Sequence, residues 1–367
     1  MKRNIHVLNV LGCGLLAAVT AFPCTTFVLK GPGHIYFGRN LDWSWEDGLV
    51  VVNPPGIQKA ALVLPGHPRA KWTSKYGSVT FNQIGQEKPF GGMNEAGLVV
   101  EQMMLTESQY PAADSRPGID MLQWIQYQLD TCSTVSEVVA NDGKIRIEQP
   151  MVPARIHYLV CDAAGDCASI EFLGGKMVCH RGQALPYCAL ANSTYEESAT
   201  YARTNPMPAG SSEPLGDPQS LPRFACVANR AAEFRPHTTE KDVAYAFETL
   251  EQVRQGKSTV WQIVYDISGR RVHFRTASNP RQRMLELKSL DFAHARSAQF
   301  ADIRADPSAA GTLELAPLTE AVHRKYLETF YAQPSLKQAM GDFTPMIEPY
   351  VLALRSYTNN GASGVKP

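Results

Sequence analysis

Cys24-Thr25-Thr26-Phe27-Val28-Leu29-Lys30, Gly31-Pro32-Gly33 and Ile35-Tyr36-Phe37-Gly38-Arg39 decide how this chain is read. Two β-rich runs, Thr25 to Lys30 and Ile35 to Arg39, are joined by hairpin punctuation, so an antiparallel strand pair is expected. The pair opens on a cysteine and continues into Asn40-Leu41-Asp42-Trp43. Ahead of it, Lys2 and Arg3 precede an apolar stretch from Ile5 to Phe22, the layout of a secretory signal. Val19-Thr20-Ala21 supplies the small residues that a signal peptidase takes, whereas Pro23 directly before Cys24 is a poor cleavage position. The expected route is cleavage after Ala21, then loss of Phe22-Pro23 by attack of the Cys24 thiol on the preceding carbonyl. Residues 1–23 are therefore read as a signal with a short propeptide. The protein is expected to be exported, periplasmic or secreted, with no membrane association once the signal is gone.

A terminal cysteine carries a nucleophile and a base in one residue. An α-amine has a reference pKa of about 7.7 to 8.0, so part of it is unprotonated near neutral pH, whereas a lysine near 10.4 holds its proton. The amine can take the thiol proton and pass it to a leaving nitrogen, a task otherwise given to histidine. Such a residue needs orienting partners and donors for an oxyanion. Arg39 and Asp42, on the strand paired with the first, are expected to come back to the terminus. Asp42 would raise the pKa of the amine and Arg39 would lower that of both amine and thiol.

The rest of the chain alternates groups of strands and helices. Strand-like runs cover Leu49 to Val52, Ala61 to Leu64, Val79 to Ile84 and Leu98 to Met104, and strands return from Ile156 to Asn192. Met121, Leu122, Ile125 and Leu129 recur at helical spacing, and Ser133 with Glu137 suggests a second helix start. Residues 197–222, rich in Pro, Ser and Gly, read as a long surface loop. Phe224, Val227, Ala228 and Ala231 mark a helix, and Thr239 with Asp242 resembles a capping pair before another. A hairpin from Val260 to Phe274 ends this region; residues 290–315 read as linker, followed by a helical tail with Val322, Tyr326 and Phe330. Antiparallel strand groups enclosed by helix groups predict an α+β fold, a four-layer αββα sandwich. The division expected is a catalytic domain over 24–289 and a linker with helical extension over 290–367.

Composition narrows the function. With 367 residues, 44% hydrophobic and 19% charged, the chain has ample material for a core. Thirty-five Lys and Arg balance thirty-five Asp and Glu, so the basic footprint of a nucleic-acid binder is missing. There is no G-x-S-x-G elbow, H-E-x-x-H, P-loop or dinucleotide fingerprint, and no Cys/His spacing reads as a zinc site, so neither metal nor organic cofactor is expected. Cys161 and Cys167 flank a turn-rich tip, and Cys179 and Cys188 lie on the next strand-like runs. For each pair a disulfide in an oxidising compartment and buried free thiols both stand open.

Further motifs recur in order along the chain: Gly92-Met93-Asn94-Glu95-Ala96-Gly97-Leu98, Ala191-Asn192-Ser193 and Pro222-Arg223-Phe224. Together with Cys24-Thr25-Thr26-Phe27 and Phe37-Gly38-Arg39-Asn40-Leu41-Asp42, they resemble the choloylglycine hydrolase family. That family comprises conjugated bile acid hydrolases and penicillin V acylases of the N-terminal-nucleophile hydrolase superfamily. The resemblance runs from Cys24 to about Asn279. It implies that Cys24 is nucleophile and base, that Arg39 and Asp42 tune and hold it, and that Arg223 supports the site. It also implies an oxyanion hole made by the Asn192 side-chain amide and the Met104 backbone N–H. Bile acid hydrolases usually carry asparagine at the position of Met104 and penicillin V acylases often tyrosine, so the backbone donor survives here and a side-chain role does not.

Trp43, directly after Asp42, resembles the exported Gram-negative branch, with its penicillin V acylases and acyl-homoserine-lactone acylases. Trp43 and Met103, with Met104, are expected to shape an apolar acyl pocket, methionine adapting to varied shapes. The expected reaction is hydrolysis of a linear amide C–N bond in a small N-acyl substrate through an acyl-thioester. The resemblance further implies a homo-oligomer, a tetramer. Rival readings are a conjugated bile acid hydrolase, an inactive binding or structural relative, and a lipoprotein anchored at Cys24, for which Ala21-Phe22-Pro23 is a poor signal.

Overall fold

A computed structural model describes residues 23–63, 68–148, 154–207, 210, 214–215, 219–308 and 313–359. Residues 1–22, which hold the expected export signal, lie outside the described residues. One sheet runs in the order β14 (Ala189–Leu190), β1 (Thr25–Gly31), β2 (His34–Asp42), β15 (Thr259–Asp266), β16 (Arg271–Thr276) and β17 (Arg283–Glu286). The other runs β13 (Lys176–Arg181), β12 (Cys167–Leu173), β11 (Ile156–Cys161), β8 (Val99–Met104), β7 (Gly91–Asn94), β6 (Ser78–Asn82), β3 (Leu49–Asn53), β18 (Gln299–Asp302) and β19 (Ala316–Pro317). Every pairing in these two sheets is antiparallel. A small ribbon of β4 (Ile57–Ala60), β5 (Lys71–Thr73) and β20 (Thr358–Asn359), and a parallel pair of β9 (Gly118–Ile119) and β10 (Arg146–Ile147), complete the strands described.

The helices in chain order are α1 (Met121–Thr131), α2 (Val135–Ala140), α3 (Tyr195–Thr204), α4 (Ser220–Glu233), α5 (Thr239–Gln252), α6 (Glu320–Tyr331), α7 (Pro334–Met340) and α8 (Ile347–Leu354). α4 packs on β1 and α5 on β2 and β15, covering one sheet, while α1 packs on β7 and β8 of the other. The result is the αββα sandwich expected. Because the first sheet has helices on one face and the second sheet on the other, residues 25–29 of β1 and 36–42 of β2 are buried on both faces. That is why these strands read as unbroken apolar and small runs instead of alternating ones.

Several local expectations are corrected. Residues 197–222 are not all loop: α3 occupies their first part, started by Thr194, whose hydroxyl accepts from Glu197 N–H. Thr134, not Ser133, caps α2 in a reciprocal box with Glu137, and Thr238, not Thr239, caps α5. Asp242 is released from a capping role to accept from His237 N–H at 2.8 Å and to pair with His34 at 2.8 Å. Ala61 to Val63 is not strand; the pairing lies earlier, in β4. Nor is 290–315 merely linker, since β18 extends the second sheet by pairing with β3, an edge that otherwise would leave its ladder groups open. All seven cysteines among the described residues are free thiols, so neither proposed disulfide is formed. Among the described residues no helix is long and apolar enough to cross a membrane, and no cluster of ligating side chains could hold a metal ion.

Candidate active site

Strand register places the chemistry. In the hairpin Thr26 pairs with Arg39 and Thr25 with Asn40, and across the next ladder Arg39 pairs with Ile263. Paired residues share a face and successive ones alternate. Arg39 accordingly points between the sheets, where its Nε meets Glu101 Oε2 of β8 at 3.1 Å. Asn40 points to the helix layer and donates to Leu250 O at 2.8 Å. Asp42 shares the Asn40 side, and Thr259 donates its hydroxyl to Asp42 Oδ1 there. Arg39 and Asp42 both come back to Cys24, whose thiol feels both charges, but their odd spacing sets their side chains on opposite faces of β2.

Cys24 is 3% exposed, and groups from β2, α4 and the segment after β14 converge on it. Its N–H donates to Asn192 Oδ1 at 2.7 Å, and its thiol lies 4.0 Å from the Asp42 carbonyl oxygen. From α4, Arg223 donates through Nη1 to the Cys24 carbonyl and the Thr25 hydroxyl, both at 2.5 Å, and through Nη2 to Asn192 Oδ1 at 2.9 Å. Asn192 Nδ2 in turn donates to Met104 O at 2.9 Å. One hydrogen of that amide remains for another acceptor. The Leu105 N–H bonds Arg155 O at 2.9 Å, which makes Leu105 the hydrogen-bonded residue toward β11. By alternation Met104 turns both its C=O and its N–H away from β11, on the side where Asn192 sits.

Asn192 is held by groups that sequence reasoning missed. His157 Nε2 lies 2.8 Å from Ala191 O, and its Nδ1 lies 3.0 Å from Glu171 Oε1, which also accepts from Tyr195 N–H at 2.9 Å. The Asn192 N–H donates to Ser220 Oγ at 2.8 Å. Glu101, Tyr265 and Thr259 were missed as well. Of these, Glu101 alone leaves a trace in the sequence, at Gly91: a Cβ there would overlap the Glu101 carboxyl group, so the glycine makes room for a buried acid.

Electrostatics follow from this burial. Desolvation pushes the Cys24 thiol above its ordinary range; the Arg39 charge pulls it back and Asp42 pushes it further up. Burial also raises Asp42 to about 7, against the Thr259 hydroxyl and the charges of Arg223, Arg39 and Arg254. Glu101 is likewise raised by burial to about 7, against Arg39 and the Tyr265 hydroxyl. Burial would depress Arg39, but Cys24 and Glu101 outweigh it and keep the guanidinium charged.

Of the expected wall residues, Trp43 is partly exposed and sits edge-on to Phe90, ring centres 6.5 Å apart. Met104 is partly exposed, while Met103 is wholly buried in the core, so it can shape a pocket only from behind.

A cysteine opening a buried strand of an αββα sandwich, with Asn, Arg and carboxylate groups gathered around it, is the architecture of the N-terminal-nucleophile hydrolases. Within that class the chain belongs to the choloylglycine hydrolase family of linear amide C–N hydrolases, whose family model matches residues 24–204. It is similar to the penicillin V acylase of Pectobacterium atrosepticum, 26% identical over 336 residues that cover 80% of this chain and 88% of that protein. Among solved structures it is similar to penicillin V acylase from Agrobacterium tumefaciens, with a TM-score of 0.69, 26% identity and coverage of 80% of this chain and 98% of that one. A variant of conjugated bile acid hydrolase from Clostridium perfringens shares the fold, with a TM-score of 0.61, 16% identity and coverage of 81% and 100%.

Proposed function

We propose that this linear amide C–N hydrolase is an exported acylase of the penicillin V acylase or N-acyl-homoserine lactone acylase type, with Cys24 as its terminal nucleophile. The observation that carries the reading is the convergence of Asn192, Arg223 and the Asp42 carbonyl on both ends of Cys24. With Pro23 attached, the Cys24 nitrogen is an amide; once released it becomes the base, already seated on Asn192 Oδ1. The thiol passes its proton to this amine and attacks the amide carbonyl. The developing oxyanion takes the second Asn192 Nδ2 hydrogen and the Met104 N–H, donors that each contribute about 2.7 to 4 kcal/mol in such sites. The amine product leaves with the proton, and water then cleaves the acyl-thioester. Arg223 orients Cys24 and Asn192 together; Trp43 and Phe90 offer an aromatic wall for an acyl group.

A phenoxyacetyl group is favoured over a bile acid because relatives named penicillin V acylase are 26% identical, against 16% for a bile acid hydrolase. The apolar stretch behind Lys2 and Arg3 supports export to the periplasm or medium, and the family resemblance supports a tetramer. The test is direct. Intact mass of the active secreted protein is expected to begin at Cys24; Cys24→Ser should lose most turnover of penicillin V or an acyl-homoserine lactone, and Cys24→Ala all of it. An active sample that still begins at Phe22, or an alanine variant at wild-type rate, would exclude the mechanism.

A further inference from the structure

Behind the nucleophile lies a buried ion pair that the mechanism above does not use. Arg39, Glu101 and Tyr265 come from β2, β8 and β15, so the contact bridges the two sheets. Arg39 and Glu101 are each 1% exposed, and Tyr265 is fully buried. Arg39 spends Nε on Glu101 Oε2 at 3.1 Å and Nη1 on the Asn40 carbonyl at 3.0 Å. Tyr265 donates its hydroxyl to the other carboxylate oxygen, Glu101 Oε1. The guanidinium is thus gripped at Nε and Nη1, and its charge acts on the Cys24 thiol.

We propose that Glu101 is a positioning residue for amide hydrolysis: its carboxylate, itself fixed by Tyr265, holds the Arg39 guanidinium in the one orientation that faces Cys24. This rests on Cys24 being the nucleophile. The groups facing Glu101 are Arg39 from β2 and Tyr265 from β15. The carboxylate, not the carboxylic acid, makes the grip, so the grip strengthens as pH rises through the region of about 7 to which burial raises Glu101.

A positioning role and a merely charge-neutralising one predict opposite signs. If Glu101 only offsets the charge of Arg39, Glu101→Gln frees that charge and makes the thiol more acidic. If it positions Arg39, the same variant lets the guanidinium drift and makes the thiol less acidic. The experiment is iodoacetamide labelling of the mature enzyme across pH 5 to 9, reading the Cys24 peptide by mass spectrometry, beside kcat and KM on penicillin V or an acyl-homoserine lactone, whichever the mature wild-type enzyme turns over. Glu101→Gln is expected to slow Cys24 alkylation and to lower kcat by about 10- to 100-fold, the loss of one hydrogen bond between charged groups, with KM little changed. Tyr265→Phe, which keeps the ring and its packing, is expected to move both readouts the same way by a smaller factor. Faster or unchanged alkylation in Glu101→Gln with unchanged kcat would overturn the inference alone. Wild-type enzyme that keeps its activity after complete alkylation of Cys24 would overturn both this inference and the nucleophile assignment.

Discussion

Arg223 shows how much a single side chain does here. Its planar fork reaches the Cys24 carbonyl, the Thr25 hydroxyl and Asn192 Oδ1 at once, so it fixes Cys24, the proposed nucleophile, and Asn192, the proposed oxyanion donor, in one frame. Lysine keeps the charge but presents a single ammonium on a flexible stem and cannot span all three. Arg223→Lys is therefore expected to reduce kcat/KM by about 10- to 100-fold, mostly in kcat, because the lost contacts orient reacting groups and do not bind substrate. Steady-state kinetics beside a melting curve would check it, and a near-wild-type kcat would show that Arg223 is structural only. The sequence offered Arg223 through a resemblance, Pro222-Arg223-Phe224, and could not say which atoms it would hold. Glu101 escaped for a different reason, since Gly91 gains its meaning only beside the folded carboxyl. Its meaning arises only when two sheets face each other, and no local spacing connects β8 to β2.

At the level of the element, the β1–β2 hairpin was legible because turn chemistry and apolar runs are local signals. Gly31-Pro32-Gly33 demanded a turn, and β-rich runs on either side demanded pairing. The register then sent Arg39 and Asp42 to opposite faces, a consequence of period two that the hairpin reading alone did not draw. Helix caps shifted by a residue, as at Thr134 and Thr238, because adjacent hydroxyl residues compete for the same role and only backbone conformation selects one. Residues 290–315 misled because β18 is short and gains its identity from the open edge of β3. The hairpin also carries a packing prediction. Gly38 lies opposite Phe27, and a Cβ at Gly38 would overlap the Phe27 ring. Phe27 is fully buried, so the ring has little room to yield. Gly38→Ala should destabilise the protein by about 1 to 3 kcal/mol through overpacking and disturb Arg39 next door. Chemical denaturation would measure it, and an unchanged midpoint would mean that the ring moves freely.

Over the whole molecule, the same burial that assembles the site sets a conflict between stability and activity. Asp42 and Glu101 are raised by desolvation to about 7, from unfolded values near 3.8 and 4.5. Between those limits the folded chain holds protons that the unfolded chain releases, so the contribution of these carboxyls is fully present in acid and is lost as pH rises through about 7. His273 and His323 act the other way: burial depresses both to about 4 from 6.5, so their contribution is present above 6.5 and is lost as pH falls toward 4. The two sets oppose each other in mild acid, and only the carboxyls act near and above neutrality. A variant with Asp42→Asn and Glu101→Gln isolates them. The difference from the wild type should be smaller at pH 5, where both carboxyls are still protonated in the folded chain, and should grow in the variant's favour as pH rises through about 7 toward pH 8. At about 1.4 kcal/mol for each pKa unit, the relative gain should reach on the order of 3 kcal/mol for each carboxyl. Urea midpoints of the two proteins at pH 5 and pH 8 would test this. Parallel midpoints at both values would mean that water or the released Cys24 amine already compensates these charges. On the proposed role of Glu101, catalysis draws on the ionised form that grips Arg39, and activity is then expected to be highest where this part of the core is held least firmly.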